Sequence, residues 1–218
     1  MFSPSFIRHY RRDYDYDDDS VWYRELFHLV LFNEVSSRLF GYSAKSIKWM
    51  VALVSLSLLN GCLGMPDTVK PVDNFELNRY LGTWYEIARL DHSFEEGLEQ
   101  VSADYLKLPN GGISVRNRGY DPEEREWVEA SGQAFFVNQD DQGYLQVSFF
   151  GPFYSSYVIF ELDKNGYQYA FVSGPSYDYL WLLSRTPTVS EELKNQFRHK
   201  AHALGFNTDE LIFVKQDQ

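Results

Sequence analysis

From Thr83 to Arg185 the chain reads as eight strand-length segments in succession, and this constrains the fold more than any other feature. The segments are 83–90, 100–108, 112–119, 126–137, 143–150, 154–163, 166–174 and 178–185. Between them stand PNGG at 109–112, YDPEE at 120–124, NQDDQG at 138–143, GP at 151–152, DKNG at 163–166 and GPSYD at 174–178. These are residue types that reverse a chain. So many strands joined by hairpin-like connections predict an all-β fold, an up-and-down antiparallel barrel or a sandwich. An aromatic content of 17%, mostly Tyr and Phe, suits strands.

One helix follows the strands. Thr188 and Glu191 read as a capping box after Pro187. Val189, Leu193, Phe197, Ala201 and Leu204 make one apolar stripe at helical spacing, and Gly205 is a natural stop. A helix with a single apolar face should lie against the outside of the sheet. LIFV at 211–214 reads as a short last strand.

Upstream of the strands sits the only cysteine, Cys62, in LSLLNGCLG at 56–64. Lys45 and Lys48 precede an apolar run, WMVALVSLSLL, and the small residue Gly61 comes just before the thiol. A charged flank, an apolar stretch too short to span a bilayer and a small residue form the layout of a secretory signal. LLNGC resembles the lipobox of bacterial lipoproteins. The resemblance implies a signal peptide over 45–61 and a Cys62 lipidated with more than one acyl chain, palmitate among them, enough for firm attachment. Residues 62–76 then read as the lipidated Cys and a tether, with the domain over 77–218. Leu63, where Asp would favour the inner membrane, implies the outer membrane of a Gram-negative bacterium, facing the periplasm. Residues 1–44 receive no function. They are either a long leader or sequence upstream of the true start, a gene-model artefact.

The net charge of −11 falls wholly downstream of Cys62, since residues 1–62 balance. An acidic domain argues against nucleic-acid binding. No Cys/His/carboxylate cluster has metal-ligand spacing, and no cofactor motif is present.

NRYLGTWYEIARLD at 78–91 carries Gly82-Thr83-Trp84, which resembles the G-x-W motif of the lipocalins. DYLWLLSRTP at 178–187 resembles that family's last-strand block, and GYDP, SFFGPFY and SRTPTVS are similar to its bacterial members, outer-membrane lipoproteins related to apolipoprotein D. The resemblance covers residues 75–216. It implies an eight-stranded calyx with an outer helix, Gly82, Trp84 and Arg185 as the motif that closes the barrel floor, and a small apolar ligand inside.

Alternation along strands nominates the lining. Trp84, Glu86 and Ala88 share one face of the first strand, and Trp181 shares a face with Arg185. The fourth strand offers Ala130, Gly132, Ala134 and Phe136, and the fifth Leu145, Val147 and Phe149. Three small residues in a row leave space. The ligand-binding set is Trp181, Phe149, Val147, Ala134, Phe136, Ala88, Phe94 and Glu86. Several have a plainer reading. Trp84 and Arg185 are structural, a cation stacked on an indole. Trp181 is either core or pocket. Glu86 either pairs with Tyr or Arg or holds a polar head. Phe94 and Leu98, in the loop at 91–100, are either an apolar lid or residues folded under a solvated loop.

The expected function is a membrane-anchored binder of amphipathic lipids, fatty acids or lysophospholipids, which it carries or stores for outer-membrane maintenance. Two alternatives stay open: a ligand-free assembly lipoprotein, and an enzyme acting on lipids. The second has little support, because no G-x-S-x-G elbow is present and no Ser is paired with His92. A homodimer is also left open.

Overall fold

A computed structural model describes residues 64–216. The signal segment and Cys62 lie outside the described residues. Eight strands run in chain order: β1 (Gly82–Leu90), β2 (Glu99–Lys107), β3 (Ile113–Asp121), β4 (Glu126–Phe136), β5 (Tyr144–Phe150), β6 (Phe153–Leu162), β7 (Tyr169–Ser173) and β8 (Leu180–Ser184). Each pairs antiparallel with the next, and β1 pairs with both β2 and β8, so the sheet closes on itself. The barrel, not the sandwich, is the outcome. Closure leaves those strands no long free edge. A ninth strand, β9 (Leu211–Phe213), pairs with β1 over Ala88–Leu90, where β1 has left β2. Gln216 then bonds the carbonyls of Glu86 and Val101, bridging the seam.

Period-two alternation divides the apolar residues into two cores. Trp84, Tyr105, Val115, Ala134, Leu145, Ile159, Val172 and Leu183 point inward. Val158, Phe171, Leu180 and Leu182 point outward and are covered by the helix. That helix, α2, spans Glu191–Ala203, and a shorter one, α1 (Leu77–Tyr80), precedes β1. Phe197 of α2 meets Phe171 edge-on at 4.9 Å, and both are fully buried. Truncating a ring so placed costs about 3–5 kcal/mol. The expected cap is corrected: Ser190, not Thr188, accepts the Leu193 N–H, because Pro187 and Thr188 stay outside the helix.

Two further expectations change. Residues 64–76 are not a free tether. Val69 and Phe75 are buried, the Val72 N–H donates to Ile159 and the Val72 carbonyl accepts from Gly143. The segment is a strap along the barrel wall. Ala88 does not face the lumen. Glu86 pairs with Leu183 but Ala88 pairs with Leu182, so a β-bulge inserts one residue between them. The extra residue inverts the alternation, and Ala88 lands in the outer core, fully buried beside Leu182 and Phe197.

Candidate functional site

The closed end is built by α1 and the start of β1. Gly82 has φ +93°, a left-handed conformation suited to glycine, and turns the chain from α1 into the barrel. Trp84 follows, with its N–H on the Tyr80 carbonyl at 2.7 Å. The Arg185 guanidinium lies 4.0 Å over the indole. It donates to the carbonyls of Thr83 and Arg79 at 2.8 Å and of Leu81 at 2.9 Å. Trp84 and Arg185 therefore hold the floor shut.

Above the indole three tyrosines meet. Tyr80 and Tyr157 share a hydrogen bond of 2.7 Å, and Tyr105 donates to Tyr157 at 3.0 Å. Burial pushes all three hydroxyls up, so they stay protonated. They form the polar bottom of the lumen.

The next layer is open. Register aligns Ala103 on β2, Asn117 on β3 and Ala130 on β4. All three point inward yet keep partial solvent exposure, as do Gly132, Val147, Phe149 and Trp181. Inward residues at the floor, by contrast, are buried, Trp84 completely. Small side chains thus line this part of the interior without filling it. The side-chain oxygen of Asn117 is itself buried and has no hydrogen-bond partner. Gly132 serves a different end from the expected one. A Cβ at that position would stand 2.4 Å from the Ser148 carbonyl and 2.8 Å from the Phe149 ring. The room is already taken by β5.

Near the open end lies a buried polar cluster. The Arg89 guanidinium donates to Glu86 at 2.8 Å and to the Glu95 carbonyl at 2.8 Å. The Trp181 N–H donates to the Glu95 carboxylate at 3.0 Å. His92 Nε2 lies 3.3 Å from the same oxygen but off the hydrogen-bond axis. Burial, then the negative Glu95 beside it, lifts the Glu86 carboxyl well above the usual range, against the pull of Arg89. Glu95 is also pushed up by burial, but His92 and the Trp181 N–H hold it below that range. The two carboxyls are thus pushed apart, Glu86 toward its neutral form and Glu95 toward its charged one. Glu86 therefore pairs with Arg and is not itself an open head-group site.

This cluster pins the β1–β2 loop over the mouth. Phe94 packs on Phe149, with ring centroids 5.2 Å apart, so the loop lays an aromatic lid on the lining. Of the residues nominated from sequence, Trp181, Phe149, Val147, Ala134, Phe136 and Glu86 face the interior, Phe94 covers it and Ala88 is outside. Arg89, Glu95, Ala103 and Asn117 were not nominated. Ala103 and Asn117 were within reach, since they alternate with Tyr105 and Val115 on their own strands. Arg89 was hidden by the bulge. Among the described residues no group of three His, Cys, Asp or Glu side chains is arranged to hold a metal ion.

Residues 75–216 match the family model described as lipocalin-like domain. The chain is 64% identical over 159 residues to outer membrane lipoprotein Blc of Vibrio cholerae, covering 73% of this chain and 93% of that one. It is 48% identical over 151 residues to the protein of the same name in Escherichia coli K12, covering 69% and 85%. Among solved structures, insecticyanin of the tobacco hornworm Manduca sexta superposes with a TM-score of 0.57 at 21% identity, over 71% of this chain and 87% of that one. The last likeness speaks to fold alone.

Proposed function

The chain belongs to the lipocalin family, and from that premise we propose that it is a lipid-binding protein of the outer membrane. Two relatives, 64% and 48% identical, carry the name outer membrane lipoprotein, which supports the same location for this chain. Cys62, acylated after the signal over 45–61 is removed, attaches it. The barrel takes the hydrocarbon tail of one amphipathic lipid, a fatty acid or a lysophospholipid, and carries or stores it.

One observation supports this reading above the others: Ala103, Asn117 and Ala130 align on neighbouring strands, face inward and stay partly exposed. A ligand site of this class is concave, mostly apolar and supplied with few polar groups. Here those groups are Asn117 midway and the Arg89–Glu95 cluster at the mouth, so the tail points to the tyrosines and the head stays by the lid.

Titration of the purified protein with a long-chain fatty acid and with a lysophospholipid tests it. Trp181 emission should change as the lumen fills, and the change should vanish in Trp181→Phe. Absence of binding at micromolar lipid would sink the reading in favour of a ligand-free assembly lipoprotein.

A further inference from the structure

The β5–β6 hairpin turns through Phe150-Gly151-Pro152-Phe153 at the open end of the barrel. Phe153 is 66% exposed and Phe150 43%. Hairpin tips favour Gly, Asn and Asp, and an exposed aromatic ring leaves unfavourable apolar surface in water. No charged side chain occurs from Gln142 to Phe160. The other loops of the rim differ. The β1–β2 loop carries Asp91 and Glu96, both exposed, and the β3–β4 turn carries Glu123 and Glu124 with a single Arg125, followed by Glu126 at the start of β4.

The strap places the start of the described chain on the same side. The Gly64 N–H donates to Ser156 Oγ at 2.9 Å, on β6 three residues from Phe153. Thr68 meets the Tyr177 hydroxyl at 3.1 Å, in the β7–β8 loop of the same open end. From there the strap descends to Phe75 by the floor, which packs against Tyr80. Cys62 precedes Gly64 by two residues, a reach of at most about 7 Å. Ser156 is only about 10 Å from Phe153 along the strand. An acyl anchor on Cys62 therefore has almost no slack, and it brings the bilayer to the β6 side of the mouth.

We propose that the β5–β6 tip, led by Phe153 with Phe150 and Tyr154 beside it, inserts into the bilayer that holds Cys62. The barrel then rests tilted, mouth toward the lipid. The uncharged hairpin is submerged, and the acidic β1–β2 and β3–β4 loops are turned away from anionic head groups. Aromatic rings suit the interfacial zone, and a second attachment point strengthens what an acyl anchor alone leaves free to rotate. A lipid tail leaving the bilayer passes Phe149 and the Phe94 lid into the lumen without crossing bulk water. This rests on the anchoring reading above and not on the identity of the ligand.

The test uses the full-length protein isolated from membranes, with Phe153→Cys and, separately, Lys164→Cys at the closed end. Each new thiol carries a fluorophore, the Cys62 thiol being consumed by its anchor. The proteins are reconstituted into phosphatidylethanolamine–phosphatidylglycerol vesicles with brominated acyl chains. The label at 153 should lose most of its emission and the label at 164 should keep it. A vesicle-bound protein whose 153 label is unquenched, or whose two labels are quenched alike, overturns the docking while the anchor stands. A protein that washes off the vesicles overturns the anchoring reading and the docking with it. Phe153→Asp supplies a second readout. It should slow transfer of a fluorescent fatty acid out of vesicles while leaving affinity for the same lipid in solution unchanged, and equal transfer rates would overturn the proposal.

Discussion

Glu86 and Arg89 are three residues apart on β1, yet their side chains meet at 2.8 Å inside the barrel. A regular strand sends residues three apart to opposite faces. The bulge between Glu86 and Ala88 supplies the extra residue that brings Arg89 back inward. There its guanidinium also reaches the Glu95 and Leu98 carbonyls of the lid loop. Fold irregularity and site are thus one feature.

Arg89→Met removes those bonds and leaves the Glu86 carboxyl and the Glu95 and Leu98 carbonyls without their donor. Leaving buried acceptors unpaired costs about 1–3 kcal/mol, and urea unfolding should show a loss of that order. Ligand release should also quicken, because the lid loses its bonds to β1. Unchanged stability would mean that Arg89 does not hold these acceptors in the fold.

The two carboxyls predict an inverted pH dependence. Glu86 keeps its proton in the fold above the pH at which the unfolded chain, with a Glu near about 4.3, loses it. Folding therefore binds a proton, and stability falls as pH rises from about 4.3 toward the raised folded value, by at most about 1.4 kcal/mol per pH unit. Glu95 works the other way. Its lowered value gives stability that is present above the unfolded pKa and lost as pH falls through the folded one. Glu86→Gln keeps a donor beside Glu95 and removes the first slope. The difference in unfolding free energy between variant and wild type should widen in favour of the variant as pH is raised above that onset. A flat difference would mean that Glu86 loses its proton in the fold at the same pH as in the unfolded chain.

At the floor the prediction concerns shape more than charge. Arg185 spreads its hydrogen bonds over three carbonyls of α1 and early β1 while lying flat on Trp84. A lysine keeps the charge but has neither the fork nor the plane. Arg185→Lys should cost about 1–3 kcal/mol through the unpaired carbonyls. A thermal melt checks it, and ligand affinity should hold, since the lumen lies above the tyrosines.

Much of this architecture was legible in the sequence because period-two alternation and turn residues act locally. Leu145, Val147 and Phe149 could be placed inward from spacing alone, and so could Ala130 and Ala134. What spacing could not show is where the period breaks. Nothing in YEIARL marks the bulge, which exists because Ile87 and Ala88 are both drawn outward to Phe197, Leu180 and Leu182. For the same reason Arg89 was unreadable as a lumen residue. The strap was misread because its prolines and polar residues resemble a linker, while Val69 and Phe75 find their partners only in the closed barrel.

A matched pair of substitutions separates lumen from outer core. Ala130 faces the accessible space beside Asn117, so Ala130→Phe puts a ring where the lipid tail would lie. It should weaken fatty-acid binding tenfold or more, about 1.4 kcal/mol, with little change in stability. Ala88 is fully buried beneath α2, so Ala88→Phe must overpack the contact with Leu182 and Phe197. That costs about 1–3 kcal/mol and should leave lipid affinity unchanged wherever the protein remains folded. Binding isotherms beside urea melts give both numbers for both variants. The opposite pattern, with binding lost in Ala88→Phe and stability lost in Ala130→Phe, would mean that β1 has no bulge and that the lipid lies elsewhere.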